Sequence, residues 1–305
     1  SHVLSNLSNN QSWNNYQGLF GYLNGNVDSI GVYGNVAGYS NVGGLTGYNL
    51  SAAVSNSYSA ASVNGTQYVG GLVGQNVRRL VGQNWTSASL TDVYASGAVT
   101  GASNNSVGGL VGSNAGTVSN TYASGAITCT SCTAGGLLGA NSGTVSNSYW
   151  NTTSTGISGG SLGTALSGTA MTNIASFNSW SITAAGGGSN TWRIYAGQTA
   201  PLLHSFLRDV TATADSGTRV YDGTTAAYDG TNGVLGVTYS ATPDSHLLGT
   251  AVVSSASKNA GTQSVSVTGL YSDQLGYDIA TVDGSLIITA KAITVSGLSS
   301  QNKVY

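Results

Sequence analysis

Charge is nearly missing from this sequence. Asp, Glu, Lys and Arg make up 6% of its 305 residues, against about 25% in ordinary soluble domains. Glu does not occur at all, so the ten acidic residues are all Asp. A net charge of −2 offers no basic field for a nucleic acid partner. The good helix formers Glu, Lys, Gln, Arg and Met are scarce, which argues against helices. Proline is almost absent and glycine has no three-residue period, so a collagen is excluded. No apolar run reaches the roughly 18 residues of a transmembrane helix. No signal peptide stands at Ser1, and the sequence breaks off at Lys303-Val304-Tyr305. It reads as an interior piece of a longer protein.

Forty percent of the chain is apolar, so it is not a disordered tail. Gly, Ser, Thr, Asn, Val and Tyr dominate, and these favour strands and tight turns. The two cysteines are Cys129 and Cys132, in Cys-Thr-Ser-Cys. A zinc site needs four ligands, and His2, His204 and His246 are all remote in sequence. The expected reading is a small disulfide pinning a turn in a secreted protein, with free thiols or a redox pair as alternatives. No cofactor and no metal ligands are expected.

The phrase Gly-Leu-x-Gly recurs around Leu19, Leu45, Leu72, Leu110 and Leu137, at intervals of 26, 27, 38 and 27. A Tyr in a Ser/Asn/Ala setting recurs at Tyr58, Tyr94, Tyr122 and Tyr149. Self-similarity of this period signals stacked units that cannot bury their apolar faces alone. At about 3.3 Å per residue, 27 residues make three short strands and their corners. The expected fold is all-β: a right-handed parallel β-helix with coils of about 27 residues, followed by a small sandwich-like β module. Leu45, Leu72, Leu110 and Leu137 then form an inward ladder. Asn49, Asn76, Asn114 and Asn141 form a corner ladder that serves unpaired backbone groups. Tyr58, Tyr94, Tyr122 and Tyr149 form a column that either stacks on itself or offers rings to sugars.

"VGGLVGSNAGTVSNTYASGAITC" (107–129) and "AGGLLGANSGTVSNSYW" (134–150) resemble the GLUG repeat of bacterial exoproteins of the filamentous-haemagglutinin type. Tyr149-Trp150, Met171-Thr172 and the closing Trp192, Gly197, Pro201 and Leu203 match the phrases into which such repeats run. After 207 the texture changes, and seven of the ten acids fall between Asp215 and Asp283. "VYDGTT" (220–225) resembles the YDG-type domain found in tandem in the same exoproteins. The expected domains are a GLUG-repeat β-helix at 1–160, a closing segment at 161–208 and a YDG-type module at 209–290. The start of a truncated module occupies 291–305. Asp222 reads as a metal ligand or, with no Asp-x-Asp ladder around it, as a turn residue capping backbone N–H groups.

Two functions of different class compete. In the first 190 residues the charged residues are Asp28, Arg78, Arg79 and Asp92. Polysaccharide lyases and hydrolases occur on β-helices, but their chemistry needs clustered carboxylates or a carboxylate with a base. The primary expectation is therefore a non-catalytic rod of a secreted surface adhesin, serving attachment, aggregation or biofilm contacts. The alternative is a carbohydrate-acting enzyme domain, lyase or hydrolase. The resemblance implies secretion by the two-partner route through an outer-membrane transporter to the surface of a Gram-negative bacterium. Glycans, host receptors and sister-cell surfaces are the partners it allows. One place breaks the repeat: Leu72–Asn76 returns as Leu80–Asn84. The insert should protrude, carrying Arg78, Arg79 and Trp85 as a candidate for partner binding through a cation and an aromatic ring.

Overall fold

The computed structural model describes residues 1–81, 84–102, 106–160, 162–297 and 299. The chain divides into two compact units, Ser1–Leu207 and Arg208–Tyr305.

The first unit is built from parallel sheets in a solenoid-like arrangement. One sheet runs through Phe20–Leu23, Thr46–Leu50, Val73–Val81, Val111–Asn114 and Leu138–Asn141. A second runs through Ser40–Gly43, Gln67–Gly70, Ser106–Gly108 and Thr133–Gly135. The largest includes Ile30–Ala37, Ala53–Ser59 and Ser89–Ala95. Neighbouring strands bring like residues together, as at Val27, Val54, Leu90 and Val118. Leu45, Leu72, Leu110 and Leu137 are fully buried. Their backbones bond in succession, N–H to carbonyl, at 3.0, 3.0 and 2.8 Å. A separate valine cluster, Val36, Val42, Val63, Val69, Val99 and Val107, packs another part of the interior.

Such close stacking leaves no room for side chains at some corners. A Cβ on Gly71 would strike the Gly109 carbonyl oxygen and stand 2.9 Å from the Ala95 methyl. The amides beside these corners are also buried: Asn49 and Asn76 are at 0% exposure and Asn114 at 1%. Asn49 donates to Asn76 (2.9 Å), Asn76 to Asn114 (2.8 Å) and Asn114 to Asn141 (2.7 Å). The Asn114 carboxamide also accepts from the Gly116 N–H at 3.1 Å, so the ladder serves the turn as well as itself.

Tyr58, Tyr94 and Tyr122 stand in register. Their rings stack at 5.0 and 4.8 Å, within 4° of parallel. They do not face solvent. Phe177, Trp180, Trp192 and Phe206 join them in one buried cluster. The Trp192 indole donates to Asp92 at 2.9 Å, and the Tyr122 hydroxyl donates to the Pro201 carbonyl at 2.8 Å. The segment that carries these aromatics holds the short helices Gly168–Met171 and Ile174–Phe177, capped by Ser167 and Asn173. Cys129 and Cys132 are joined as a disulfide, Cα to Cα 5.7 Å. Among the described residues, no helix is long and apolar enough to cross a membrane.

The second unit is also all-β. Arg208–Ala214 lies between Val237–Tyr239 and Tyr277–Val282, antiparallel to the first and parallel to the second. A four-stranded sheet runs Gly217–Val220, Gly284–Thr289, Gly261–Ser272 and Leu247–Ser255. Val210, Ala212, Val265, Ile279, Leu286 and Ile288 are buried in this unit. The segment 291–305, read as the start of a further module, falls partly outside the described residues.

Replacing Asn76 by Ala removes one donor and one acceptor from the middle of the amide ladder, leaving the Asn49 and Asn114 amides each short of a partner. The expected cost is about 1–3 kcal/mol. Urea unfolding of the variant against the parent, at equal slope, checks it.

Candidate functional site

The residues singled out in the sequence are mostly interior. The Leu, Asn and Tyr rows are buried or half-buried, and no ligand reaches the rings of Tyr58, Tyr94 and Tyr122 under their aromatic cover. The repeated phrase folds as an antiparallel hairpin, Val73–Val81 with Asn84–Ser87, in which Arg78 pairs with Ser87 and Arg79 with Thr86. Arg78 and Arg79 are exposed. The Trp85 side chain lies outside the described residues.

The two carboxylates of the repeats both hold hydrogen bonds. Asp28 accepts from Ser55 (2.7 Å), Asn56 (2.8 Å) and Ser29 (2.8 Å). The Ser55 hydroxyl foremost holds its carboxyl below the usual carboxylate range. Asp92 receives the Trp192 indole. A cavity of about 500 Å³ is lined by Ser8, Asn10, Asn35, Ser62, Asn64 and Thr100 among others. Its lining has hydroxyls and amides but no titratable group, so it can bind but cannot move protons.

The titratable side chains gather further along the chain. Asp209 is the second residue of Arg208–Ala214, and Asp278 the second of Tyr277–Val282. The two strands pair in parallel with Asp209 directly opposite Asp278, so both carboxylates leave the same face of the sheet. The Arg208 N–H donates to the Gly276 carbonyl at 2.9 Å and fixes that register. His204, five positions before Asp209, opens the 3-10 turn His204–Phe206. One ligand atom from each of His204, Asp209 and Asp278 lies within 4.8 Å of the others. Asp278 is 1% exposed, His204 is half-buried and Asp209 is exposed. One imidazole nitrogen and two carboxylate oxygens are donors that suit a divalent cation such as zinc or manganese. Three protein ligands would leave a coordination position for water or substrate.

A second group is built around the Tyr-Asp-Gly phrase. The buried Arg219 guanidinium reaches Asp222, and its other nitrogen donates to the Thr224 carbonyl at 2.6 Å. Asp222 accepts from the Thr224 N–H at 2.9 Å and the Tyr228 hydroxyl at 2.8 Å. The Thr224 N–H foremost, with that hydroxyl and the guanidinium, holds the Asp222 carboxyl far below its ordinary range. The group ties the loop after Gly217–Val220 back onto its strand; most of its donors and acceptors are turned on one another, while the buried Arg219 Nε has no partner. The carboxylates of Asp229 and Asp244 likewise cap turns, at Thr231 and His246. His246 pairs with Asp273 at 2.8 Å.

The group at His204, Asp209 and Asp278 overturns the expectation of a purely adhesive rod without enzymatic character. Within the repeats, Asp28 is spent on Ser29, Ser55 and Asn56 and Asp92 on the Trp192 indole. Clustered carboxylates occur instead where strand pairing joins positions 69 apart in sequence. One signal was readable: Asp278 sits between Tyr277 and Ile279 inside a strand-like run. A carboxylate is disfavoured in a strand interior and seldom fully buried without a partner. His204 gave no comparable signal.

No family model, curated protein or solved structure matches the chain.

The Asp222 carboxyl is lowered from 3.8, so its contribution to stability is complete above that value. It is lost as pH falls through the lower folded value. Acidification below pH 3.8 should destabilise the parent more steeply than Asp222→Asn, whose group cannot titrate. Chemical melts of the two proteins over a pH series measure the difference in slope.

Proposed function

We propose that this chain is a secreted, carbohydrate-acting protein whose chemistry depends on a divalent cation held by His204, Asp209 and Asp278. The observation that carries the reading is the three-residue donor set itself. A bound cation supplies a polarised water or a Lewis acid for a sugar oxygen or carboxylate. The chain's residues supply orientation. Strand register holds Asp209 and Asp278 side by side. Asp278, the buried member, is the rigid ligand, and Asp209, the exposed one, faces incoming substrate.

The carbohydrate class is supported by the rest of the surface. A chain with 6% charged residues and abundant Asn, Ser, Thr and Tyr presents hydroxyls, amides and rings, the groups that match neutral sugar hydroxyls and C–H faces. The parallel sheets support a finer architecture, a right-handed β-helix with coils of about 27 residues. The resemblance to GLUG and YDG-type repeats supports export by the two-partner route, through an outer-membrane transporter, to the outer surface of a Gram-negative bacterium. The same resemblance divides the chain into repeats at 1–160, a closing segment at 161–208 and a YDG-type module at 209–290. The hairpin carrying Arg78 and Arg79 remains the candidate for an acidic partner.

The full chain, supplied in turn with zinc, manganese, magnesium and calcium, should bind at least one of these ions in calorimetry. With that ion it should release reducing ends or unsaturated products from a panel of polysaccharides. Asp278→Asn and His204→Ala should each lower turnover by about 100-fold or more and weaken the cation. Absence of cation binding, or turnover indifferent to both substitutions, refutes the reading.

A further inference from the structure

The row Tyr58, Tyr94 and Tyr122 is sealed by aromatics, but another group of tyrosines in the first unit is not. Tyr22 is 53% exposed and Tyr16 44%. Tyr22 pairs in register with Tyr48, on adjacent parallel strands. Their rings stack at 5.1 Å with 14° between planes. Tyr16 stands edge-on to both, at 5.5 Å from Tyr48 and 6.4 Å from Tyr22. Two nearly parallel rings with a third as a side wall make a shelf, not a scatter of surface aromatics.

The shelf is held in place by backbone. Tyr16 sits at φ 57°, a left-handed conformation uncommon for a non-glycine residue. The Tyr16 N–H donates to the Ser40 carbonyl at 2.8 Å, and the Gln17 N–H to the Asn41 carbonyl at 3.0 Å. Gly21 admits the approach, since a Cβ there would lie 2.6 Å from the Tyr16 carbonyl oxygen. The register continues from Tyr48 to Gln75 and from Gln75 to Ser113. These positions are half-buried, and successive strands are about 4.8 Å apart. An amide and a hydroxyl therefore follow the rings along one line across the sheet.

We infer that Tyr16, Tyr22 and Tyr48, continued by Gln75 and Ser113, form a binding shelf for a linear neutral polysaccharide. The apolar C–H face of a pyranose covers the stacked rings, and the next sugar's hydroxyls meet the amide and the serine. Asp28 is the only Asp, Glu, Lys or Arg before Arg78, so nothing beside Tyr16, Tyr22 and Tyr48 in sequence offers a cation to a uronate or phosphate, and the first cations, Arg78 and Arg79, lie three and four residues beyond Gln75 on its strand. The role as substrate holding rests on the carbohydrate reading above, but the binding itself does not involve His204, Asp209 or Asp278.

The test is affinity electrophoresis of the full chain through gels carrying hydroxyethyl cellulose, xylan or mannan, beside gels carrying polygalacturonate or alginate. At least one neutral polymer should retard the parent, and a chelator should not change that. Tyr22→Ala should weaken retardation about tenfold, while Tyr22→Phe should keep it. Gln75→Ala should weaken it less. Circular dichroism and melting curves identify any variant that has merely unfolded. The inference fails if no neutral polymer retards the chain, if only charged polymers do, or if Tyr22→Ala behaves as the parent. Retardation abolished by the chelator would place binding at the cation ligands and also sink it. Failure of cation binding with retention of the shelf would sink only the catalytic reading.

Discussion

Backbone and amide groups in the first unit must be satisfied by the chain's own neighbours, because almost no charged side chain is available to do it. The ladder from Asn49 to Asn141 is the clearest result of that constraint. A buried carboxamide carries two donors and an acceptor of two lone pairs, and an unpaired one is costly in a low-dielectric interior. For Asn76 and Asn114 an asparagine above and below provides the complementary group at the spacing of the strands, whereas Asn49, in register with Leu23, keeps a buried oxygen without a partner. Each step along the ladder bonds the amide to its successor, and Gly116 and Ala52 tie it to the local turns. The same spacing makes identical neighbours the best neighbours for Leu and Tyr, which stack without changing volume from strand to strand.

A stack of this kind has an outer side as well as an inner one, and the tyrosines show how it is finished. Three parallel rings would leave a long aromatic face in water. Phe177, Trp180, Trp192 and Phe206 cover it, and the two indoles are paired: Trp192 with Asp92, Trp180 with the Asn147 carbonyl. The closing segment is therefore a lid along the flank of the tyrosine row. Where no such lid falls, at Tyr16, Tyr22 and Tyr48, the rings stay open. The two sets share a chemistry and differ in what lies over them.

The all-β class and the parallel sheets were legible in the sequence, because period, glycine placement and the lack of helix formers all point one way. The flank cover was not. "FNSW" and "TWRIYAG" carry aromatics without any period to say which row they meet, so only the three-dimensional path joins Trp192 to Tyr94. The short helices were not legible either, since four-residue turns capped by Ser167 and Asn173 leave no periodic trace. The candidate site was hidden for a related reason. Asp209 and Asp278 are neighbours only through a strand pairing that spans most of the second unit, and alternation alone does not name the partner strand.

That pairing also bears on the cation proposed for the site. Two carboxylates opposite one another on one face of a parallel pair repel, and the cost rises as water is withdrawn. Asp278 is 1% exposed, so solvent screens it poorly. Were a divalent ion held there, Asp209 and Asp278 would supply carboxylate oxygens and His204 a neutral imidazole nitrogen, and the register that sets the two carboxylates opposite one another would keep those oxygens together.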